Sequence, residues 1–114
     1  MPITRTQGMA QAAWIAVQPR KGTAAYASFA KSFPALIHTA GLCQAVAFAQ
    51  AKQGPEEQVL VDVMKTSGLG EGTVLAFADA CRSAPLPEYL RRTRLMLSAA
   101  SWVKRYVEAL EEKS

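Results

Sequence analysis

The sequence is poor in the residues that carry most enzyme chemistry. One histidine (His38) and two cysteines (Cys43 and Cys81) in 114 residues leave almost no material for a metal cage or a catalytic triad. It is also short of β-branched aliphatics, with 11 Val plus Ile against 21 Ala. Alanine is the best helix former and a poor strand residue, which argues against an all-β domain. No basic segment followed by a long apolar core opens the chain, and Ala12 to Val17 is too short for a signal peptide. A cytoplasmic location is expected. The cysteines lie 38 positions apart inside apolar runs, and read as buried free thiols of a reducing compartment rather than as a disulfide.

What is present describes a globular protein. Half of the residues are apolar, 19% are charged, and the mean hydropathy is +0.04. The length suits one domain over residues 1–114 with a core of its own. Twenty uncharged residues separate Lys31 from Lys52, the length of a membrane span. They include Ser32, Pro34, His38, Thr39, Gly41, Gln44 and Gln50, which are costly in lipid, so the stretch reads as the central helix of a bundle and no membrane contact is expected.

The expected fold is all-α, a compact helical bundle of about five to seven helices with a long C-terminal helix. The first helix spans Ile3 to Val17 and stops at the breakers Pro19 and Gly22. Thr23 is suited to cap a short helix through Lys31, and Pro34 to open the next, which runs to Gln53 with a kink at Gly41. Gly54-Pro55-Glu56-Glu57 restarts a helix, with acids in the first turn as the helix dipole prefers. Gln58 to Met64 also alternates like a strand, but its flanks favour helix. After the glycines at 68, 70 and 72, Thr73 to Arg82 forms a helix with Val74, Phe77, Ala78 and Cys81 on one side. Glu88 to Glu112 forms the last and longest helix.

Charge is segregated. Residues 1–55 hold five basic side chains and no acid, residues 56–81 five acids against Lys65, and residues 82–107 six basic residues against Glu88 alone. Two basic blocks around an acidic middle suit a polyanion surface, or simply a solvated one. In the last helix, Met96, Ala99, Ala100, Val103, Tyr106, Val107 and Leu110 share a core stripe, while Arg91, Arg94, Ser98, Ser101 and Arg105 share the opposite side. Arg94 and Arg105 are three turns apart, roughly 16 Å along the axis. Guanidiniums interleaved with hydroxyls match phosphate oxygens. A solubilising face shared with Glu108 and Glu112 is the competing reading. Arg92 points toward the apolar side, where it snorkels or meets a partner.

Catalytic motifs are missing. Gly68-x-Gly70-x-Gly72 follows a helix and precedes no Lys-Ser/Thr, so it reads as a helix–helix loop. His38 has no second ligand at metal spacing, and Glu56, Glu57 and Asp62 read as first-turn charge and an Asp62–Lys65 pair. Trp14, Trp102, Tyr26, Tyr89 and Tyr106 are candidates for base stacking, but at helical spacing they fit a core. The chain is expected to be no enzyme, with no catalytic residues, cofactor, metal or small-molecule ligand.

Two segments carry a resemblance. Tyr26-Ala-Ser-Phe-Ala-Lys31-Ser-Phe-Pro34 leads into Gly41-Leu42 and Phe48-Ala-Gln-Ala-Lys52, and Tyr89-Leu-Arg-Arg leads into Trp102-Val-Lys104-Arg105-Tyr106. This order, from about Tyr26 to Leu110, resembles the small subunit of the type III-B CRISPR RNA-targeting complex, the Cmr or RAMP-module small subunit. The resemblance implies an all-helical, non-catalytic protein that stacks with further copies of itself beside the backbone subunits and helps to hold guide RNA and target RNA. It makes Tyr26, Pro34, Gly41, Leu42, Phe48 and Trp102 framework, with Gly41 allowing close helix approach, and matches Lys31, Lys52, Lys104 and Arg105 to basic positions. With Arg91 and Arg94 from the helix face, these are the expected nucleic-acid-binding residues. The alternative is a helical protein-binding adaptor or homo-oligomer without nucleic-acid contact. A DNA-binding helix-turn-helix protein is a third reading, without an identifiable recognition helix.

Overall fold

A computed structural model describes residues 4–69 and 72–112, and the described residues form six α-helices and no strand. The order is α1 (Arg5–Val17), α2 (Ala24–Ala40), α3 (Leu42–Lys52), α4 (Gly54–Ser67), α5 (Val74–Ser83) and α6 (Leu86–Glu112), with a 3₁₀ turn at Gln18–Arg20. The start of α1 is fixed by a reciprocal box: the Gln7 N–H donates to the Thr4 hydroxyl at 3.1 Å, and the Thr4 N–H donates to Gln7 Oε1 at 2.9 Å. Thr73 caps α5 by accepting from the Ala76 N–H at 3.0 Å. Thr23 occupies the cap position of α2, yet its side chain makes no capping bond.

The break expected at Ser32-Phe33-Pro34 is absent, and the Pro34–Gln53 helix does not exist as one element. Instead α2 runs through Pro34 and ends at Gly41. A proline inside a helix costs about 3 kcal/mol. Tyr26, Phe29, Ala30, Phe33 and Ile37 form one buried face across it, and fully burying a single large apolar side chain contributes about 1.5–3 kcal/mol. The continuous face outweighs the proline. The uncharged stretch is thus two helices, and no described helix is long and apolar enough to cross a membrane.

Gly41 joins α2 to α3 at φ 90°, ψ 158°, a region open essentially to glycine alone. The expectation of close helix approach is corrected here, since a Cβ at this position would meet only the Tyr89 hydroxyl at 3.6 Å, an ordinary contact. The turn requires the glycine. Gly41→Ala is accordingly expected to cost about 1–3 kcal/mol through backbone strain, read as a lowered thermal midpoint. An unchanged midpoint would show that the turn relaxes at no cost.

The core runs from Ala13 and Val17 of α1 through α2, α3 and α4 to Phe77 of α5 and the Met96–Val103–Val107 stripe of α6. The long helix α6 packs on α1, α2 and α4, while α3 packs on α2, α4 and α5. Neither cysteine forms a disulfide. Cys81 is buried and Cys43 half-buried, and they line one small hollow between α3 and α5.

Asp62 is not paired with Lys65 as expected. It is only 2% exposed, and accepts the Tyr26 hydroxyl at 2.6 Å and Arg20 Nε and Nη2 at 3.1 and 3.3 Å. This node ties the 3₁₀ turn, α2 and α4 together. Burial first, then donation to Asp62, pushes the Tyr26 phenol far above its usual range. The hydrogen bond to Asp62 likewise raises the Arg20 guanidinium.

Candidate nucleic-acid interface

The 27 residues of α6 span about 40 Å at 1.5 Å each. One side of the helix is core: Met96, Ala99, Ala100, Val103, Val107 and Leu110 are buried, and Tyr106 is half-buried. Arg91, Arg94, Ser98, Ser101 and Arg105 are all exposed on the other. The face assignment made from periodicity therefore describes this helix.

The basic residues differ in their surroundings. Arg91 is held 3.2 Å from Glu88, an acid that also pairs with Arg92 at 2.8 Å. Arg92 is the inward one, 12% exposed and 6.0 Å over the Phe77 ring. Arg94 has no acidic partner among the described residues. Arg105 lies 5.7 Å over the Trp102 ring, which supports the guanidinium while leaving its N–H donors to solvent. Exposed Glu108 ends the basic stretch.

The remaining expected contacts lie elsewhere. Lys104 is half-buried, about 100° around the helix from Arg105. Lys31 of α2 donates to both carboxylate oxygens of Glu111, at 3.0 and 3.2 Å, and so ties α2 to the end of α6. Lys52 is exposed at the end of α3, 5.4 Å over the Phe48 ring. The fold gathers Arg91, Arg94 and Arg105 along one helix and does not bring Lys31 and Lys52 to them.

Sequence reasoning left out Arg5. It stands with Thr6 at the start of α1, across a cleft of about 280 Å³ from Arg91, Arg94, Ser98 and Trp102. A Thr-x-x-Gln signal at Thr4–Gln7 marks this helix start in the sequence, but no local signal says that α1 lies against α6. Aromatic rings make that joint: Trp14 meets Tyr106 edge-on at 5.1 Å, and Tyr106 stacks on Trp102 at 5.6 Å. Tyr26 is buried, and the Tyr89 hydroxyl accepts the Cys43 N–H at 3.1 Å. These rings pack the bundle. Phe48 differs from the other framework positions, being 45% exposed and stacked on Phe29. Among the described residues no three His, Cys, Asp or Glu side chains are grouped to hold a metal ion. Chemically, the α6 surface can donate charge-assisted hydrogen bonds to anionic oxygens.

Fold and surface together define a small all-α bundle whose longest helix carries core on one side and a cationic ridge on the other. Residues 5–110 match the model of the CRISPR-associated protein family Cas_Cmr5, and the chain belongs to that family. It is 37% identical over 113 residues to the CRISPR system Cmr subunit Cmr5 of Thermus thermophilus, covering 96% of this chain and 98% of the relative. The crystal structure of a CRISPR-associated Cmr5 family protein from Thermus thermophilus superposes with a TM-score of 0.87 at 35% identity, over 95% of this chain and 98% of the other.

Proposed function

We propose that the chain is a non-catalytic structural subunit of a cytoplasmic CRISPR Cmr effector complex, stacking with further copies of itself beside the backbone subunits and touching guide RNA and target RNA through α6. The observation that carries this reading is the Arg94–Arg105 ridge, exposed on the side of α6 opposite the core in a member of this family. Contacts of guanidinium to phosphate fix position and carry no sequence information, which suits a subunit that must accept any target chosen by the guide.

Exposed Leu75, Leu86 and Leu90, where α5 and α6 begin, favour protein contacts as well. They supply the stacking surface in this reading, and the whole function in the alternative, a protein-binding adaptor. Ultraviolet crosslinking of the assembled complex to target RNA separates the two. The expected result is crosslinked peptides from residues 91–105 of this chain. Crosslinks confined to the other subunits would favour the adaptor.

A further inference from the structure

The ridge on α6 does not end in open solvent at its N-terminal side. The first turn of α1 stands over it, so that Arg5 and Thr6 face Arg91, Arg94, Ser98 and Trp102 across the cleft. Three guanidinium-bearing side chains from two helices converge on one concave space. Of these, Arg91 is held by Glu88, whereas Arg5 and Arg94 have no acidic partner among the described residues. Like charges lining one cleft repel one another. An anion in the cleft relieves that repulsion.

Further features select the anion. The first turn of α1 contains no acid, and the helix start presents the positive end of the dipole. The Gln7 N–H is taken by the Thr4 cap, which leaves the Arg5 and Thr6 N–H groups beyond the reach of any carbonyl within the helix. Thr6 and Ser98 add neutral hydroxyl donors, while Met9 and Leu95 give the cleft apolar lining that strengthens each charge-assisted bond. Donors arriving from several directions suit the spread oxygens of a phosphate better than a planar carboxylate. The cleft also continues the line from Arg105 to Arg94, so a strand lying along the ridge runs into it.

We infer that this cleft is a phosphate seat, which holds one phosphodiester of a nucleic-acid strand between α1 and α6, and that Arg5 is a binding residue of the protein. The inference rests on the reading that the ridge touches nucleic acid, and extends it from exposed point contacts to an enclosed one shared by two helices.

The test uses the full chain and a short fluorescent oligouridylate, with anisotropy measured over a series of salt concentrations. Arg5→Ala and Arg94→Ala should each weaken binding by roughly fivefold to tenfold, and each should lower the salt slope by about 0.7. Arg5 and Arg94 are both exposed and the loss of either relieves repulsion between them, so thermal midpoints should not fall. Because both side chains serve one phosphate, the double substitution should be little worse than either single one. Arg105→Ala, at a separate phosphate, should multiply with them. Losses from Arg5→Ala and Arg94→Ala that multiply would mean two separate contacts, and would overturn the seat. If Arg5→Ala binds like the parent while Arg94→Ala and Arg105→Ala do not, the seat is wrong and the ridge stands. A parent chain that does not hold the oligonucleotide at all also overturns the seat, and leaves the ridge to the crosslinking of the assembled complex.

Discussion

Replacing Arg91, Arg94 and Arg105 together with glutamate should weaken target binding by the assembled complex about a hundredfold. The figure assumes roughly 1 kcal/mol for each exposed guanidinium–phosphate pair that is broken. The loss should be the same for every target sequence, because backbone contacts carry no base information. It should also flatten the salt dependence, by about 0.7 log units of affinity per log unit of salt for each single-strand phosphate no longer neutralised. All three side chains lie on the solvent side of α6, so the subunit should fold and enter the complex. Lys31→Glu is the matched control. It breaks an exposed tie to Glu111, whose side chain is 45% accessible beside 39% for the lysine, and should cost about 0–1 kcal/mol of stability with binding unchanged. A triple variant that assembles and keeps the parent's affinity and salt slope would reduce the ridge to a solvated face.

Asp62→Ala is expected to be the most destabilising single polar substitution, by about 2–4 kcal/mol. Removing one partner of a buried ion pair costs about 3–5 kcal/mol when the other charge is trapped. Here Arg20 is 28% exposed and can turn to water, which lowers the figure. The Tyr26 hydroxyl cannot turn. Its residue is 1% exposed, and a buried donor without an acceptor costs about 1–3 kcal/mol. Adding Tyr26→Phe to Asp62→Ala should therefore be less damaging than the two separate losses combined, as a denaturation cycle would measure. The same node sets the alkaline limit. Folding raises the phenol above its ordinary pKa near 10, so the unfolded chain releases this proton first. The stabilisation is complete below about pH 10 and is lost as pH rises beyond it, by up to about 1.4 kcal/mol per pH unit. Tyr26→Phe should flatten that decline. A variant as steep as the parent would show that other groups cause it.

Helix identity was legible where breakers and charge agree. Gly54-Pro55 with two acids marks α4, Thr73 marks α5, and the 3.6-residue period of α6 separates Met96, Val103 and Leu110 from Arg94 and Arg105. Local chemistry failed at Pro34, where a buried face on both sides overrides a local breaker. It failed again at Gly41, because the backbone angle of a turn leaves no mark in composition beyond the glycine itself. The site divides in the same way. Exposure of Arg94 and Arg105 follows from one helix and its period. The tie of Lys31 to Glu111, 80 positions away, and the placing of Arg5 across a cleft from Arg94 follow from how helices pack. Nothing near Asp62 in the sequence announces Arg20 and Tyr26 as its partners, at separations of 42 and 36 residues.

Because α6 carries core and ridge on a single unbroken helix, the spacing between its residues acts as a ruler that changes of length cannot respect. One residue inserted between Arg94 and Arg105 turns everything beyond it by about 100°, swinging Arg105 toward the flank where Trp102 meets α1 and pulling Val107 and Leu110 out of the core. Substitutions along the ridge alter its charge one side chain at a time, whereas an insertion or deletion disturbs both faces at once. Seven residues, two turns, come back to within about 20° of the original direction. Natural variation in the reach of this helix should therefore come in steps of about 10 Å, each adding a further stretch of core stripe together with a further stretch of cationic surface.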